Sequence, residues 1–462
     1  MKKLKSYLAS SLASAVTMIC LSSGITSCVD LNVQPPLDIS NELALSTSDG
    51  LQNGLNASYA LLRSGSLYGG NLVGSTEILA DQVVVGGGGF GQLEMARRGM
   101  TFFNPEGRGI WQDGYNAINR VNNVIAAVPK VDGLSNDTRN RILGECYAIR
   151  AMMHFEIVRL FAQPWGATAD NSHRGIPLRV EPTAGASNAR VRPSSVAQVY
   201  TQVISDLNQA IMLLPESNGI FINRLTARAF LARVLLQRGD FAGAFAAADA
   251  VVQSGRYRLN TNVRDVFDTP GTSESLLEFV SREPVEDAGG GVQGYFRQDD
   301  GLSPVLSLDA AVVRTIRTNA NDKRGTDLIK SADDQFFTTK FQKVFMNMPS
   351  LRYAEVLLIR AEAAARTNNA AAALVSVNQV RQRAGLAALA NLSGDALLNA
   401  ILTERSTELA FEGHRLHDLK RLQRNIGNAY LPQEAPLPWN SQRLVLQIPD
   451  VERNGTPADF WN

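Results

Sequence analysis

Apolar residues recur at helical spacing along two long segments of the chain. In the first, from Arg139 to Phe161, they fall three or four positions apart, and Pro164 and Gly166 follow. In the second, from Val196 to Leu214, the same spacing ends at Pro215. Apolar positions with this period form one face of a helix, and proline and glycine end helices. The pattern therefore predicts two long helices that each bury one face.

Two further segments have the pattern of a helix-turn-helix repeat, in which small residues lie where two helices cross. A short polar turn divides each segment, Gly239-Asp240 in the first and Asn368-Asn369 in the second. The predicted pairs are Ala227–Arg238 with Phe241–Gln253, and Tyr353–Arg366 with Ala370–Arg383. Alanines occupy the same crossing positions in both pairs, at Ala232, Ala244, Ala361 and Ala373. The shared register predicts one helical array that a large insertion interrupts.

Two regions lack helical periodicity and are rich in glycine. The insertion, residues 259–350, contains Gly289-Gly290-Gly291 and a strand-like stretch from Leu276 to Val280. The other region runs from Gly65 to Pro105 and contains Gly86 to Gly89. Long irregular segments in a compact protein usually carry function. We expect these two regions to converge on one surface.

The N-terminus has the pattern of an export signal. Lys2, Lys3 and Lys5 precede an uncharged run from Ser6 to Ser27, and the run closes with Ile25-Thr26-Ser27-Cys28. A transmembrane anchor is the alternative, but the many serines and threonines weaken residence in a bilayer. The closing residues resemble the lipobox of bacterial lipoproteins. We therefore expect diacylglycerol and acyl lipid on Cys28, which supply enough acyl chains for stable membrane attachment.

The predicted organisation has five parts. They are a lipoprotein signal peptide (1–27), a lipidated tether (28–40), an N-terminal helical region (41–258), the loop-rich insertion (259–350) and a C-terminal helical region (351–462).

Composition excludes several classes of function. The 45 Lys and Arg residues against 44 Asp and Glu leave a formal charge of +1, so no basic field exists to hold nucleic acid. After loss of the signal and lipidation of Cys28, only Cys146 remains, and no disulfide is expected within the mature chain. Cys146 lies in a helical pattern without a nearby histidine, which favours a buried structural thiol over a nucleophile.

Other patterns that suggest chemistry carry little weight. Gly86–Gly91 and Gly289–Gly294 satisfy GxGxxG, but neither lies in a βαβ unit, so surface loops explain both. His414 and His417, with Glu412 and Asp418, have metal-ligand spacing at helical positions; the alternative is that these charges tie the last helices to the body. We find no nucleophile-base arrangement or supported carboxylate pair and expect no enzyme, no metal and no cofactor.

Six blocks of the sequence, in order, resemble the SusD/RagB family. They are IWQDGYNAINRVNNVI from Ile110, GECYAIRAMMHFEIVRLFAQPWG from Gly144, GIPLRVEP from Gly175, LRYAEVLLIRAEA from Leu351, VNQVRQRAGL from Val377 and ERSTELAFEGHRLHDLKR from Glu404. The closing VLQIPDVERNGTP from Val445 is also similar. Because the blocks are separated and ordered, the resemblance is more specific than one motif.

The resemblance implies a mainly all-α fold, with tetratricopeptide-like helix pairs in a right-handed scaffold and a loop-rich insertion carrying short strands. It also implies a surface-exposed lipoprotein of the Bacteroidetes outer membrane that works with a SusC-like TonB-dependent β-barrel transporter. The expected function is capture of a nutrient, an oligosaccharide above all, and its delivery to that transporter. The alternatives are a RagB-like peptide binder, a non-catalytic scaffold lipoprotein and a surface hydrolase.

Candidate ligand residues lie in the two irregular regions. Sugar rings stack on aromatic faces while polar side chains hold their hydroxyls. None of the four tryptophans falls in these regions, which leaves the following candidates: Tyr68, Phe90, Tyr295 and Phe296, with Gln92 and Arg297 as polar partners. For each one, loop packing is the alternative to ligand contact. Calcium stays open, although no Asp-rich loop with suitable spacing is present.

Overall fold

A computed structural model describes residues 40–183, 190–283, 285–299, 304–427, 429–454 and 456–461 of the 462-residue chain. The predicted signal peptide, Cys28 and nearly all of the tether lie outside these residues. The chain divides into two compact units, residues 1–44 and 45–462. In the first, the structure describes one short helix, α1 (Asn41–Ala44). The remaining described elements belong to the second unit.

Helices dominate the described residues. Those before the insertion are α2 (Ser48–Leu62), α3 (Asn71–Leu79), α4 (Phe90–Ala96), α5 (Pro105–Ala127), α6 (Asn136–Phe161), α7 (Val196–Leu213), α8 (Arg224–Arg238) and α9 (Phe241–Gln253). Those after it are α14 (Tyr353–Arg366), α15 (Ala370–Arg383), α16 (Gly394–Glu408), α17 (Arg415–Arg421) and α18 (Asp450–Arg453). Three short 3-10 helices cover Val128–Lys130, Gln442–Leu444 and Ala458–Trp461.

Capping side chains place the helix starts. Helix α7 begins after Ser195, which forms a capping box with Gln198. Helix α8 begins three residues before the predicted Ala227, because the Asn223 side chain accepts a hydrogen bond from the Thr226 N–H. Its end is set by Gly239 in the left-handed conformation, φ 81°. The long predicted helices are confirmed, with ends shifted by a few residues.

The long helices pack one after another along the chain. Helix α5 packs on α6, α6 on α7, α7 on α8, α8 on α9, and α9 on α14, although residues 254–352 separate the last two in sequence. Helix α14 then packs on α15. The alanines predicted at the crossings, Ala232, Ala244, Ala361 and Ala373, are all fully buried. The interrupted array and the mainly all-α, tetratricopeptide-like fold are therefore confirmed.

The insertion is more regular than the sequence pattern indicated. It contains four short helices, α10 (Asp265–Asp268), α11 (Gly290–Phe296), α12 (Ala310–Ile316) and α13 (Lys323–Asp327), among the residues the structure describes. The described strands form four two-stranded antiparallel pairs: β1 (Val83–Val85) with β5 (Leu306–Leu308), β2 (Arg174–Pro177) with β3 (Pro193–Ser195), β4 (Ser275–Phe279) with β8 (Met348–Arg352), and β6 (Ile329–Ala332) with β7 (Gln335–Thr338). The predicted strand from Leu276 to Val280 corresponds to β4.

Buried ion pairs attach the insertion to the C-terminal helices. Arg352 donates to carboxylates of Glu274, Glu408 and Glu412 at 3.0, 2.6 and 2.7 Å. Lys340 also donates to Glu412, at 2.6 Å. All five side chains are nearly or fully buried apart from Glu412, which is largely so. We call them the ionic cluster.

Candidate functional site

The two irregular regions meet, as expected. Strand β1 from the first region pairs with β5 from the insertion, with Val83 opposite Leu308 and Val85 opposite Leu306. The Val292 N–H also donates to the Gly69 carbonyl at 2.6 Å. We call the surface formed by residues 65–92 and 290–299 the loop junction. Residues more than 220 positions apart in sequence therefore meet at one surface.

Glycines make this close approach possible. A β-carbon at Gly291 would lie 2.6 Å from the Gly69 carbonyl oxygen, and one at Gly69 would lie 2.3 Å from the Arg63 carbonyl oxygen. At Gly74 it would lie 2.6 Å from the ring of Tyr295. No side chain fits at such distances without backbone movement. These glycines serve backbone packing. Gly74 lies in α3 and Gly291 in α11, so the prediction of a surface loop at Gly289–Gly294 is wrong, because the lack of side chains lets a short helix pack on the backbone around Gly69.

Two of the predicted ligand aromatics belong to the interior. Tyr68 is buried; its hydroxyl donates to Glu156 at 3.0 Å and its ring stacks on Phe279 at 5.3 Å. Phe296 is buried against Phe341, with ring centroids 5.5 Å apart. Their faces are therefore covered by protein, which is the packing role weighed in the sequence analysis. Contact of either ring with a ligand stays a prediction.

Tyr295 is also buried, within the loop junction. Its hydroxyl donates to the Asn71 side chain at 2.9 Å, which ties α11 to the start of α3. Burial raises the pKa of Tyr295 to about 12, and a hydrogen bond with Gln92 opposes the shift. The phenol is therefore neutral at physiological pH and acts as a hydrogen-bonding group.

The exposed part of the loop junction is formed by the remaining predicted residues. Phe90, at the start of α4, is 68% exposed, the largest exposure of any described aromatic ring. Gln92 is half-buried and donates to the Glu106 carboxylate. Arg297 is half-buried and pairs with Asp299. The structure thus brings Gln92 and Tyr295 together around one residue that the sequence analysis did not select, Glu106. Phe90 lies exposed two residues before Gln92.

Glu106 has a buried carboxyl group with one unsatisfied oxygen. Burial raises the pKa of its carboxyl, and the nearby Glu94 carboxylate adds to the shift. Its Oε2 atom is buried without a hydrogen-bond partner among the described residues, as is Oε1 of Gln92. A β-carbon at Gly91 would lie 1.7 Å from that Oε2 atom, so only glycine leaves room for it. Buried acceptors without a partner are costly, so the two oxygens are unsatisfied polar atoms within the loop junction.

Polar residues that the sequence analysis missed hold the other side of the junction. Gln342 donates to the Phe296 carbonyl at 3.1 Å and accepts from the Gln298 N–H at 3.1 Å. Lys330 donates to the Gln298 carbonyl at 2.5 Å. No local motif marks Gln342 or Lys330, because their role depends on a contact made over 30 positions away in sequence.

The histidine pair singled out as possible metal ligands belongs to the ionic interior. Glu412 bonds Lys340 and Arg352, and Asp418 bonds Arg405 at 2.9 Å. Burial lowers the pKa of His414 to about 4, so its ring is neutral at pH 7. Within the described ranges, no group of three or more potential ligands is placed to hold a metal ion. The charges tie the last helices to the body, as the alternative interpretation held.

Cys146 is buried on α6, and burial raises its pKa well above the usual value. A thiol held protonated in an apolar site is unreactive. The interpretation of Cys146 as a structural residue is therefore supported by its surroundings.

Sequence models of one family match both halves of the chain. The model described as "SusD family" matches residues 315–447, and the model described as "Starch-binding associating with outer membrane" matches residues 97–236. A curated relative, SusD-like protein P2 of Formosa agariphila, is 28% identical over 89% of this chain and 91% of its own length.

Solved structures show the same fold. A SusD-like carbohydrate-binding protein from Bacteroides vulgatus superposes with a TM-score of 0.79 at 20% identity, covering 90% of this chain and 98% of its own. A laminarin-binding SusD-like protein superposes with a TM-score of 0.73 at 23% identity, covering 88% and 97%. The chain belongs to the SusD/RagB family, which confirms the resemblance. None of the helices in the described part of the chain is long and apolar enough to cross a membrane.

Proposed function

We propose that this protein captures a glycan at the loop junction. The observation that carries the proposal is the exposed ring of Phe90, two residues before Gln92. Gln92 Oε1 and Glu106 Oε2 are both buried without a hydrogen-bond partner among the described residues. A sugar presents apolar C–H groups to an aromatic face and hydroxyl donors to such oxygens. The carbohydrate-binding relatives support this ligand class. Tyr295 is buried within the loop junction, where its bond to Asn71 holds α11 in place.

We also propose that the protein is anchored through lipid on Cys28. It delivers the captured glycan to a TonB-dependent outer-membrane transporter. Support comes from the lipobox-like residues that end the predicted signal and from a family model whose description includes association with the outer membrane. Binding needs no chemistry, so no catalytic group is required. The absence of enzyme activity and of a cofactor stays a prediction.

Calorimetry on the full-length chain in detergent tests glycan capture. The probes are malto- and laminari-oligosaccharides, with mixed peptides as the competing class. Phe90→Ala should weaken glycan binding at least tenfold, since it removes the stacking face. Met212→Ala is the matched control, because Met212 is 64% exposed on α7, away from the junction. Binding of peptides alone, or equal affinity in both variants, would contradict the proposal.

The anchor is tested separately by cell fractionation. Wild-type chain should be found in the outer-membrane fraction and should become labelled by a palmitate analogue. Cys28→Ala should lose the label and leave that fraction, since its mature chain retains no lipid. Retention of the label in Cys28→Ala would contradict lipidation at this residue. The transporter partner is tested by co-purification with a tagged copy of the protein from its native membrane.

A further inference from the structure

A second cavity lies on another face of helix α5. Its volume is about 410 Å³. Aromatic side chains line it on two sides: Trp111 and Tyr115 from α5, and Phe460 and Trp461 from the C-terminal 3-10 helix. Asn116 contributes an exposed amide at its edge. The volume falls in the range of about 300–1,000 Å³ that is typical of small-ligand sites.

Helical geometry separates this cavity from the loop junction. Trp111, Tyr115 and Asn119 are four positions apart, so they form one stripe along α5. Glu106, which faces the loop junction, precedes Trp111 by five positions, a rotation of about 140° around the helix axis. One helix therefore presents Glu106 to one site and the aromatic stripe to the other.

Hydrogen bonds fix the wall formed by the segment after β2. The Tyr115 hydroxyl donates to the Pro177 carbonyl at 2.8 Å, and Asn119 accepts from the Thr183 N–H at 2.9 Å. The Asn122 amide donates to the Arg179 and Glu181 carbonyls at 3.1 and 3.0 Å. Because three α5 side chains hold four backbone positions of this segment, this wall is preformed and costs little ordering on binding.

The C-terminal wall is also built from specific contacts. The Trp461 indole donates to the Thr456 hydroxyl at 2.9 Å, and its ring packs edge-on against Phe460 and Trp111. Arg192 lies over the other part of this wall, 5.2 Å from the Phe460 ring centroid. These contacts hold two aromatic rings at the cavity, with Phe460 the more exposed of the two.

One polar group at the cavity lacks a partner. Trp111 is 1% exposed, and its indole Nε1–H forms no hydrogen bond with any described residue. A buried donor without an acceptor costs about 1–3 kcal/mol. The rings of Tyr115 and Phe460 would cover the apolar face of a sugar in the cavity, and a small rotation of the Trp111 ring would bring its N–H to a ligand oxygen.

We propose that this cavity is a second carbohydrate site, which takes one pyranose ring. Aromatic walls, amide groups and an unsatisfied indole donor together match the alternation of C–H and hydroxyl groups on a sugar. The proposal takes only the class of ligand from the proposed function. Its residues are different, so the two sites respond to different substitutions.

Fluorine NMR of the full-length chain labelled with 5-fluorotryptophan tests this site directly. The chain has four tryptophans, of which Trp111 and Trp461 line the cavity and Trp165 and Trp439 do not. Single Trp→Phe variants assign the four resonances. Titration with maltose, laminaribiose and glucuronic acid should shift the Trp111 and Trp461 resonances saturably. The other two should stay in place.

Substitutions on α5 then separate this site from the loop junction. Asn116→Phe fills the cavity and should weaken the Trp111 and Trp461 response at least tenfold. Gln112→Phe is the control, because Gln112 is exposed on the same helix and does not line the cavity. Phe90→Ala should leave the response within about twofold. Thermal melting of each variant confirms that it is folded.

The outcomes distinguish the two proposals. Shifts that Asn116→Phe abolishes and Phe90→Ala preserves establish a second site. Glycan binding that depends on Phe90, with no shift of either cavity tryptophan, overturns the second site and leaves the proposed function standing. Shifts caused by mixed peptides but by none of the sugars overturn the carbohydrate assignment. A response that Asn116→Phe leaves unchanged places the ligand elsewhere and also overturns the proposal.

Discussion

Buried charged residues of the ionic cluster attach the C-terminal helices to the insertion. Burial alone would raise the pKa of Glu408, but the guanidinium groups of Arg383 and Arg352 hold it well below its usual range. The Arg352 side chain is only 4% exposed. Bulk water therefore has little access to its guanidinium group and could not replace the carboxylates. Buried pairs contribute little net stability when intact, yet they are costly to break because the remaining charge is stranded.

Arg352→Met should therefore destabilise the protein strongly. The substitution removes the cation shared by Glu274, Glu408 and Glu412. Arg383 stays paired with the first two and Lys340 with the third, so we expect a loss of about 3 kcal/mol in the free energy of unfolding, the lower end of the range for a broken buried pair. Urea titration followed by circular dichroism measures it. Arg192→Met is the control, because its pair with Asp459 is mostly exposed and should contribute less than about 1 kcal/mol. Equal losses in the two variants would contradict the ionic cluster.

Glu77 makes stability depend on pH. Burial raises the pKa of its carboxyl to about 8, although the Gly413 N–H, which donates to it at 2.7 Å, opposes the shift. A raised pKa in the folded state means that the protonated acid stabilises the fold. That contribution is complete below pH 4.5, the value for an unperturbed glutamate, and is lost as the pH rises through 8.

Glu77→Gln should remove this dependence, since glutamine keeps the acceptor for Gly413 and never ionises. Relative to the variant, wild type should lose up to about 4 kcal/mol of unfolding free energy between pH 4.5 and pH 8. Urea titrations at a series of pH values measure the difference. Glu216→Gln, at a mostly exposed position, should follow wild type throughout. If the unfolding free energies of wild type and Glu77→Gln changed in parallel with pH, the pKa of Glu77 would not be raised in the folded protein.

At the scale of elements, local pattern predicted the long helices and failed for the short ones. Helices α14 and α15 begin and end at the predicted residues, because apolar spacing and a turn at Asn368, with φ 59°, are encoded locally. Helices α11 and α13 have only seven and five residues. Elements of that length have too few turns to show a period, and their position is set by contacts with distant parts of the chain.

Helices α14 and α15 cross at small residues, and this close crossing can be tested by adding volume. Ala373 is fully buried there, whereas Ala371 on the same helix is exposed. Ala373→Leu should lower the unfolding free energy by about 1–3 kcal/mol, because the added carbons must force the two helices apart. Ala371→Leu, which adds the same group in solvent, should change it by less than about 0.5 kcal/mol. Thermal and urea unfolding of the two variants measure the difference. Equal losses of unfolding free energy would contradict a close crossing of the two helices at Ala373.

At the scale of the whole molecule, the loop junction could be anticipated as a region but not as a set of contacts. Glycine content and missing periodicity identified both irregular regions, and Phe90 and Gln92 were selected from them. Glu106 was not selected, because it lies in the first turn of a long helix and only the fold brings it under Gly91. The same reasoning did not separate the exposed Phe90 from the buried Phe296, since both are aromatic residues in or next to a glycine-rich stretch.

The pairing of β1 with β5 implies that the loop junction is already assembled before ligand arrives, and a disulfide across it tests this. Val84 lies opposite Ser307 in the antiparallel pair, where α-carbons are about 4.5–5.5 Å apart, within disulfide range. Val84→Cys with Ser307→Cys, in a chain whose Cys20 and Cys28 are serine, should form the bond on oxidation. It should raise the unfolding free energy by about 2–4 kcal/mol, because it closes a very long loop of the unfolded chain. Glycan affinity should stay within about twofold of the reduced form, since the strands need not separate. A large loss of affinity on oxidation, restored by reductant, would show instead that the junction must open to admit its ligand.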